Sequence, residues 1–240
     1  MCGRFSVGRT ATSDDVCDQL AFLFDAARAP ELPRCLARFN IAPGQLVPSV
    51  LPRGGGRVLS LLRWGFVFPW AKNPDEGPRP INARIETVQE KAAFRSALVG
   101  GRCLVPADGF YEWQRSSIGR LPWFFSLVGG EMFAFAGILS RSSGFSSDAA
   151  ATFAILTTEA NPTVAPIHDR MPVMLTTPES CARWLAGTPP AEFEAPLSAA
   201  ALTRWRVDPR VNDARNEDPS LATPVEESLE EPNNPQRRLL

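Results

Sequence analysis

The chain has 240 residues, 44% hydrophobic and 21% charged, with a formal net charge of −1. That length suits one large domain or two small ones with a buried core, in the range of a soluble globular protein. No apolar run approaches the ~18 residues of a membrane helix, and the near-zero charge argues against a broadly basic coat for nucleic acid.

Residues 13–27 are predicted to form a helix capped by Ser13, with Val16, Leu20, Leu23, Phe24 and Ala27 on one face. Residues 30–56, rich in Pro, Gly and Arg, read mostly as loop, and 57–67 as strand. A proline-rich loop follows. Thr87-Val88-Gln89-Glu90 is a capping-box pattern that predicts a helix to about Leu98. Six short apolar or aromatic segments near 102–106, 109–114, 121–128, 132–139, 152–158 and 172–176 read as strands. Thr177-Pro178-Glu179 opens a helix carrying Cys181, Trp184 and Leu185 on one face. After Trp205 the chain turns polar, and residues 226–240 read as a disordered tail. The pattern is α+β: a mainly antiparallel sheet or barrel flanked by a few helices.

Of the 25 basic residues only Lys72 and Lys91 are lysines. Arginine forks match phosphates and stack on bases, but the composition of a genome produces the same bias. Any nucleic-acid site is therefore a local groove. Five scattered cysteines (Cys2, Cys17, Cys35, Cys103, Cys181) include no CxxC, and a single histidine leaves no zinc spacing. Reduced thiols in a cytoplasmic chain are expected, with the last four cysteines in the core. The N-terminus lacks the basic and apolar regions of a signal peptide, so residue 2 is expected to be the mature start.

Removal of Met1 would leave an amine and a thiol together on Cys2. The amine of such a 1,2-aminothiol condenses with an aldehyde to an imine, and the thiol then closes a thiazolidine, so Cys2 points to covalent chemistry on a carbonyl. Three other segments hold polar groups that packing does not demand. Asn82, in Ile81-Asn82-Ala83-Arg84-Ile85-Glu86, is either a helix-entry residue bonding the backbone or a site residue. Glu112, between Tyr111 and Trp113, is either on the solvated face of an edge strand or a proton carrier. His168, between Pro166 and Pro172, is a loop residue or a general acid/base. Trp64, Trp70 and Trp113 are core residues or stacking platforms for unpaired bases.

Several segments occur in an order that resembles one family. They are Met1-Cys2-Gly3-Arg4-Phe5, Arg38-Phe39-Asn40-Ile41-Ala42-Pro43, Arg63-Trp64-Gly65, Ile81 to Thr87, Arg102 to Ala107, Gly109-Phe110-Tyr111-Glu112-Trp113, Thr157 to Asn161, Ile167 to Pro172 and Val211 to Asn216. Together they resemble the SOS response-associated peptidase family of abasic-site processing proteins, from Cys2 to about Val225. The resemblance implies binding of single-stranded DNA at an abasic site and a covalent link through Cys2. By the same carry-over Glu112 shuttles protons, His168 acts as acid/base on the sugar oxygen or imine, and Asn82 orients the amine or sugar. Arg4, Arg84 and Arg170 hold phosphates, while Trp64 and Trp113 stack on flanking bases. It further implies no metal or organic cofactor, a cytoplasmic monomer that joins the nucleoid when DNA-bound, and removal of Met1, self-catalysed or not. Lyase activity is a further option.

Three rival readings remain at this level. The first is an N-terminal-nucleophile cysteine hydrolase: glutamine amidotransferases of one class also begin Met-Cys-Gly, but Arg4-Phe5 departs from the aliphatic residue usual there. A non-covalent single-strand-binding module would not need the Cys2 thiol. A general thiol peptidase would use Cys2 and His168 as a dyad.

Overall fold

A computed structural model describes residues 2–9, 15–30, 32–71, 77–117, 119–140 and 151–225. Two sheets share the core. In the first, five strands run in the order β14 (Leu202–Arg206), β9 (Gly119–Leu127), β8 (Gly109–Ser116), β1 (Arg4–Val7) and β3 (Arg38–Ile41). The second follows the path β11 (Thr152–Glu159), β10 (Phe133–Ser140), β7 (Arg102–Ala107), β4 (Leu46–Arg53) and β5 (Gly56–Trp64). Its two ends meet: β5 and β11 pair in parallel at Arg63↔Thr152 and Trp64↔Phe153, closing the path into a five-stranded barrel. Short strands extend it. β6 (Asn82–Arg84) pairs in parallel with β11, β12 (Arg170–Pro172) pairs antiparallel with β11, β13 (Met174–Leu175) joins β10 and β2 (Ala27–Arg28) joins β5.

β7 and β10 are buried along their whole length and β11 in all but Glu159, so both faces of these strands are covered. That is why they read in the sequence as continuous apolar runs rather than alternations. Three helices flank the sheets: α1 (Val16–Leu23), α2 (Ala92–Gly100) and α3 (Pro178–Leu185). The α+β architecture expected from the sequence, largely antiparallel with a barrel, is the one observed.

Details differ from expectation where side chains answer to distant partners. β3 and β4 lie in the stretch read as loop; Pro48 and Pro52 sit in β4, which pairs β5 along its length but β7 only at Val50, where few ladder bonds are lost. The capping box at Thr87 does not form. Glu90 and Lys91 donate their amides to the Thr87 carbonyl in a turn, and α2 begins five residues later without a side-chain cap. Ser13 lies outside the described residues, and α1 is capped by Asp15 instead, whose carboxylate accepts from the amides of Cys17 and Cys35 at 3.1 Å each. Capping at Thr177 is as expected, with Ser180 completing a capping box. The expectation of wholly reduced thiols is corrected: Cys17 and Cys35 form a disulfide, brought together by the same Asp15 bracket, while Cys2, Cys103 and Cys181 are free and buried. No helix among the described residues is long and apolar enough to cross a membrane.

After β14 the chain crosses the outer face of the five-stranded sheet as a strap. Val207, Val211, Leu221 and Ala222 bury Tyr111 and Phe124 there in a second, smaller core. Asn40, fully buried on β3, holds the strap by donating from Nδ2 to the carbonyls of Val211, Asp213 and Asn216. Residues 226–240 lie outside the described residues.

Candidate active site

β1 carries the start of the chain into the centre of the molecule, between β3 and β8. Phe5 anchors it, packing edge-on against Trp64 at 5.1 Å and Phe135 at 5.5 Å. Cys2 is consequently 0% exposed. β6 approaches along the edge of β11, and Asn82 donates from Nδ2 to the Cys2 carbonyl at 2.8 Å. Asn82 Oδ1 is also buried, without a hydrogen-bond partner among the described residues. A buried amide oxygen in that state marks a place prepared for a donor.

Burial, and then the charge of Glu112, push the Cys2 thiol well above its ordinary pKa. Near neutrality the sulfur is therefore a thiol, and a base has to take its proton whenever it reacts. Glu112 itself is nearly fully buried on β8. Beside it runs a groove of about 650 Å³. Glu112 to Arg115 form one bank with Arg120, Gly3 lies at its edge, and Pro166 to Asp169 form the other bank.

His168 is fixed on that second bank by a tight turn. Asn161 accepts the amides of Thr163 and Val164 on Oδ1 and donates to the Leu197 carbonyl at 2.7 Å. The His168 ring nitrogen Nδ1 accepts the Arg170 amide at 2.9 Å. A ring whose Nδ1 accepts that amide has its N–H on Nε2. The Asp169 carboxylate lies 2.9 Å from the same Nδ1, placed to receive it if that nitrogen gains a proton.

The aromatic and basic residues named from the sequence divide into two groups. Trp113 is half-buried at the groove; its indole donates to Asn212 Oδ1 at 2.6 Å, and the Arg4 guanidinium lies 5.9 Å from its ring centre. Arg4 is also tied inward, donating to Asn40 Oδ1 at 2.7 Å and to the Val211 carbonyl at 2.8 Å. Arg84 is exposed on β6, two residues from Asn82.

Trp64 and Arg170, expected at the DNA surface, lie inside the protein. Trp64 is 1% exposed, stacked on Phe153 and donating from Nε1 to the Ile81 carbonyl at 2.9 Å, so it is a core residue and presents no face to a base. Arg170 is 9% exposed and makes a two-pronged contact with Glu86, 2.7 Å to Oε1 and 2.8 Å to Oε2, with a third bond to the Thr157 carbonyl. These three bonds turn it inward, and its Nε is buried without a hydrogen-bond partner among the described residues. The tryptophan that does stand in solvent is Trp70, 62% exposed and stacked on Phe68 at 5.0 Å. Trp64 ends a strand that enters the core and Trp70 follows a proline after it, a distinction that Phe66-Val67-Phe68-Pro69 hints at only weakly.

Cys2 is buried near the start of the chain, held by Asn82 and facing the charge of Glu112, beside a groove that includes His168. The chain matches the SOS response associated peptidase (SRAP) family over residues 1–214 and belongs to that family. It is 36% identical over 230 residues to the abasic site processing protein YoqW of Bacillus subtilis, covering 92% of this chain and 98% of that one. To the abasic site processing protein YedK of Escherichia coli it is 30% identical over 234 residues, covering 94% and 100%. A crystal structure of a protein from Bacteroides thetaiotaomicron shares the fold with a TM-score of 0.75 at 19% identity, covering 93% and 100% of the two chains.

Proposed function

We propose that this protein processes abasic sites in single-stranded DNA, capturing the ring-opened sugar covalently through Cys2 once Met1 is removed. The observation that carries the reading is the Asn82 bond to the Cys2 carbonyl, which fixes residue 2 beside Glu112 at the edge of the groove. The names of the relatives support the lesion.

The freed α-amine, with a reference pKa near ~8, has a reactive fraction at neutral pH. Asn82 Oδ1 accepts one of its hydrogens and holds the lone pair toward the sugar. Attack on the C1′ aldehyde gives a carbinolamine, and loss of one water gives an imine. His168, donating from Nε2, protonates the departing or ring oxygen. The Cys2 sulfur then adds to the imine carbon; its proton passes to Glu112 and a proton returns to the nitrogen, closing the thiazolidine. Overall one aldehyde and one aminothiol become one ring and one water.

Trp113 and Trp70 offer flat faces to flanking bases. Arg84, and Arg4 through the part of its guanidinium facing Trp113, meet the backbone without reading sequence. The protein acts as a monomer in the cytoplasm, at the nucleoid when engaged. Release of Met1 by the same groups, and strand cleavage by elimination from the imine, are extensions of the same chemistry.

The test is an intact mass before and after incubation with single-stranded DNA bearing one abasic site. A denaturation-stable adduct of the Met1-free protein and the DNA, less one water, is expected. A processed protein without adduct would overturn the reading. Cys2→Ala should abolish the adduct and keep non-covalent binding. Glu112→Gln should slow adduct formation by about 10²-fold, the scale of a lost general base; an unchanged rate would remove Glu112 from the chemistry.

A further inference from the structure

β1 accompanies β8 only from Gly109 to Tyr111, whereas β9 accompanies it from Phe110 to Ser116. Between Glu112 and Ser116 the β8 edge turned away from β9 is therefore open, and it forms one bank of the groove. Arg115 and Arg120 are direct cross-strand partners in this hairpin. Both are exposed, and both line the groove.

Like charges placed directly opposite one another destabilise an antiparallel pair. An acidic neighbour would cancel that cost, but neither arginine has an ion-pair partner among the described residues. The nearest carboxylates of the groove are otherwise placed: Asp169 is beside His168, and Glu112 is buried near Cys2. Side chains of a cross-strand pair lie on one face with Cβ atoms about 5 Å apart. Two guanidiniums so placed bring converging N–H donors to one tetrahedral anion.

Their position gives that anion an identity. Arg115 follows Trp113 by two residues, so the two point to the same side of the strand, the side opposite Glu112, and Arg115 lies about 10 Å along β8 from Glu112. The open β8 edge separates Glu112 on one face from the Trp113 ring and a pair of uncompensated cations on the other, and all of them line the groove. We propose that Arg115 and Arg120 form a phosphate clamp for the DNA backbone on one side of the lesion, beyond the base that meets Trp113. The inference rests on the DNA reading of the groove and adds a second, direction-dependent contact to it.

The experiment uses Cys2→Ala protein, so that binding is read without crosslinking, and two single-stranded oligonucleotides with the abasic site near the 5′ or near the 3′ end. Only one of them runs strand past the clamp, and it should bind more tightly. Replacing both arginines by glutamine should bring the two affinities level, and should lower the slope of log K against log salt by about 0.7 to 1.4, one to two phosphates of a single strand. Arg115→Glu separates binding from folding: it converts the repelling pair into an ion pair, so the melting temperature should hold or rise while affinity for the favoured oligonucleotide falls about tenfold or more. An unchanged slope, or equal losses for both oligonucleotides, would overturn the clamp. Crosslinking by the parent protein is run alongside. No parent adduct would sink the covalent reading, while the salt slope would still decide the clamp.

Discussion

The two tryptophans of the Arg63–Trp70 segment differ only in where the backbone carries them, and substitution separates them cleanly. Trp64→Ala should cost about 3–5 kcal/mol of stability, as for other buried large aromatics, read as a fall in the denaturation midpoint. Trp70→Ala should leave stability nearly unchanged and weaken single-strand binding by about 1–3 kcal/mol, the scale of one stacked base. The reverse pattern would restore Trp64 to the DNA surface. Arg170→Ala should destabilise by about 2–3 kcal/mol, below the full cost of orphaning a buried partner because Glu86 is a third exposed. Its salt slope for DNA should match the parent; a flatter slope would return Arg170 to the phosphate track. The sequence singles out Cys2, Asn82, Glu112 and His168 because each is a reactive or hydrogen-bonding group in a place that packing does not need, and the structure brings Asn82 to Cys2 and Glu112 and His168 to one groove. The inward pairing of Arg170 is not legible there, since an arginine that meets Glu86 and one that faces solvent are written the same way.

At the level of elements, the sequence shows those whose pattern is local and hides those defined by a partner. β10 and β11 announce themselves as apolar runs, and α3 by its capping residues. β3 does not: its four residues become a strand by pairing with β1, far back in the chain. The hairpin opposition of Arg115 and Arg120 is equally invisible until register is known. The strap is the element to perturb. Asn40→Ala removes its bonds to the carbonyls of Val211, Asp213 and Asn216, leaving Val211 held by Arg4 and Asp213 by the Asn216 amide, and should cost about 1–3 kcal/mol. It also frees Arg4 from one of its two anchors. Hydrogen exchange should show earlier opening across residues 207–225 than in the barrel; uniform exchange would mean that the strap is held by its apolar contacts alone.

For the whole molecule, acid should be the sensitive direction. The Arg170 hydrogen bonds hold the Glu86 carboxyl below its ordinary pKa. A depressed folded-state pKa contributes stability that is complete above the unfolded value, about 4.3 for a glutamate, and is lost as pH falls through the folded value. Asp108 acts oppositely: burial raises its pKa, so it favours the folded state more as pH falls. Melting temperature should therefore drop below about pH 4, and Glu86→Gln should start lower and flatten that drop. A parallel profile for the variant would exclude Glu86 as the titrating group. Asn82 holds the main-chain carbonyl of residue 2, not its sulfur, so the anchor is indifferent to the side chain there. A Cys2→Ser protein freed of Met1 should present its amine in the same place and form the imine. With oxygen instead of sulfur it would close only to an oxazolidine, which reopens readily, and the adduct should survive denaturation only after borohydride reduction.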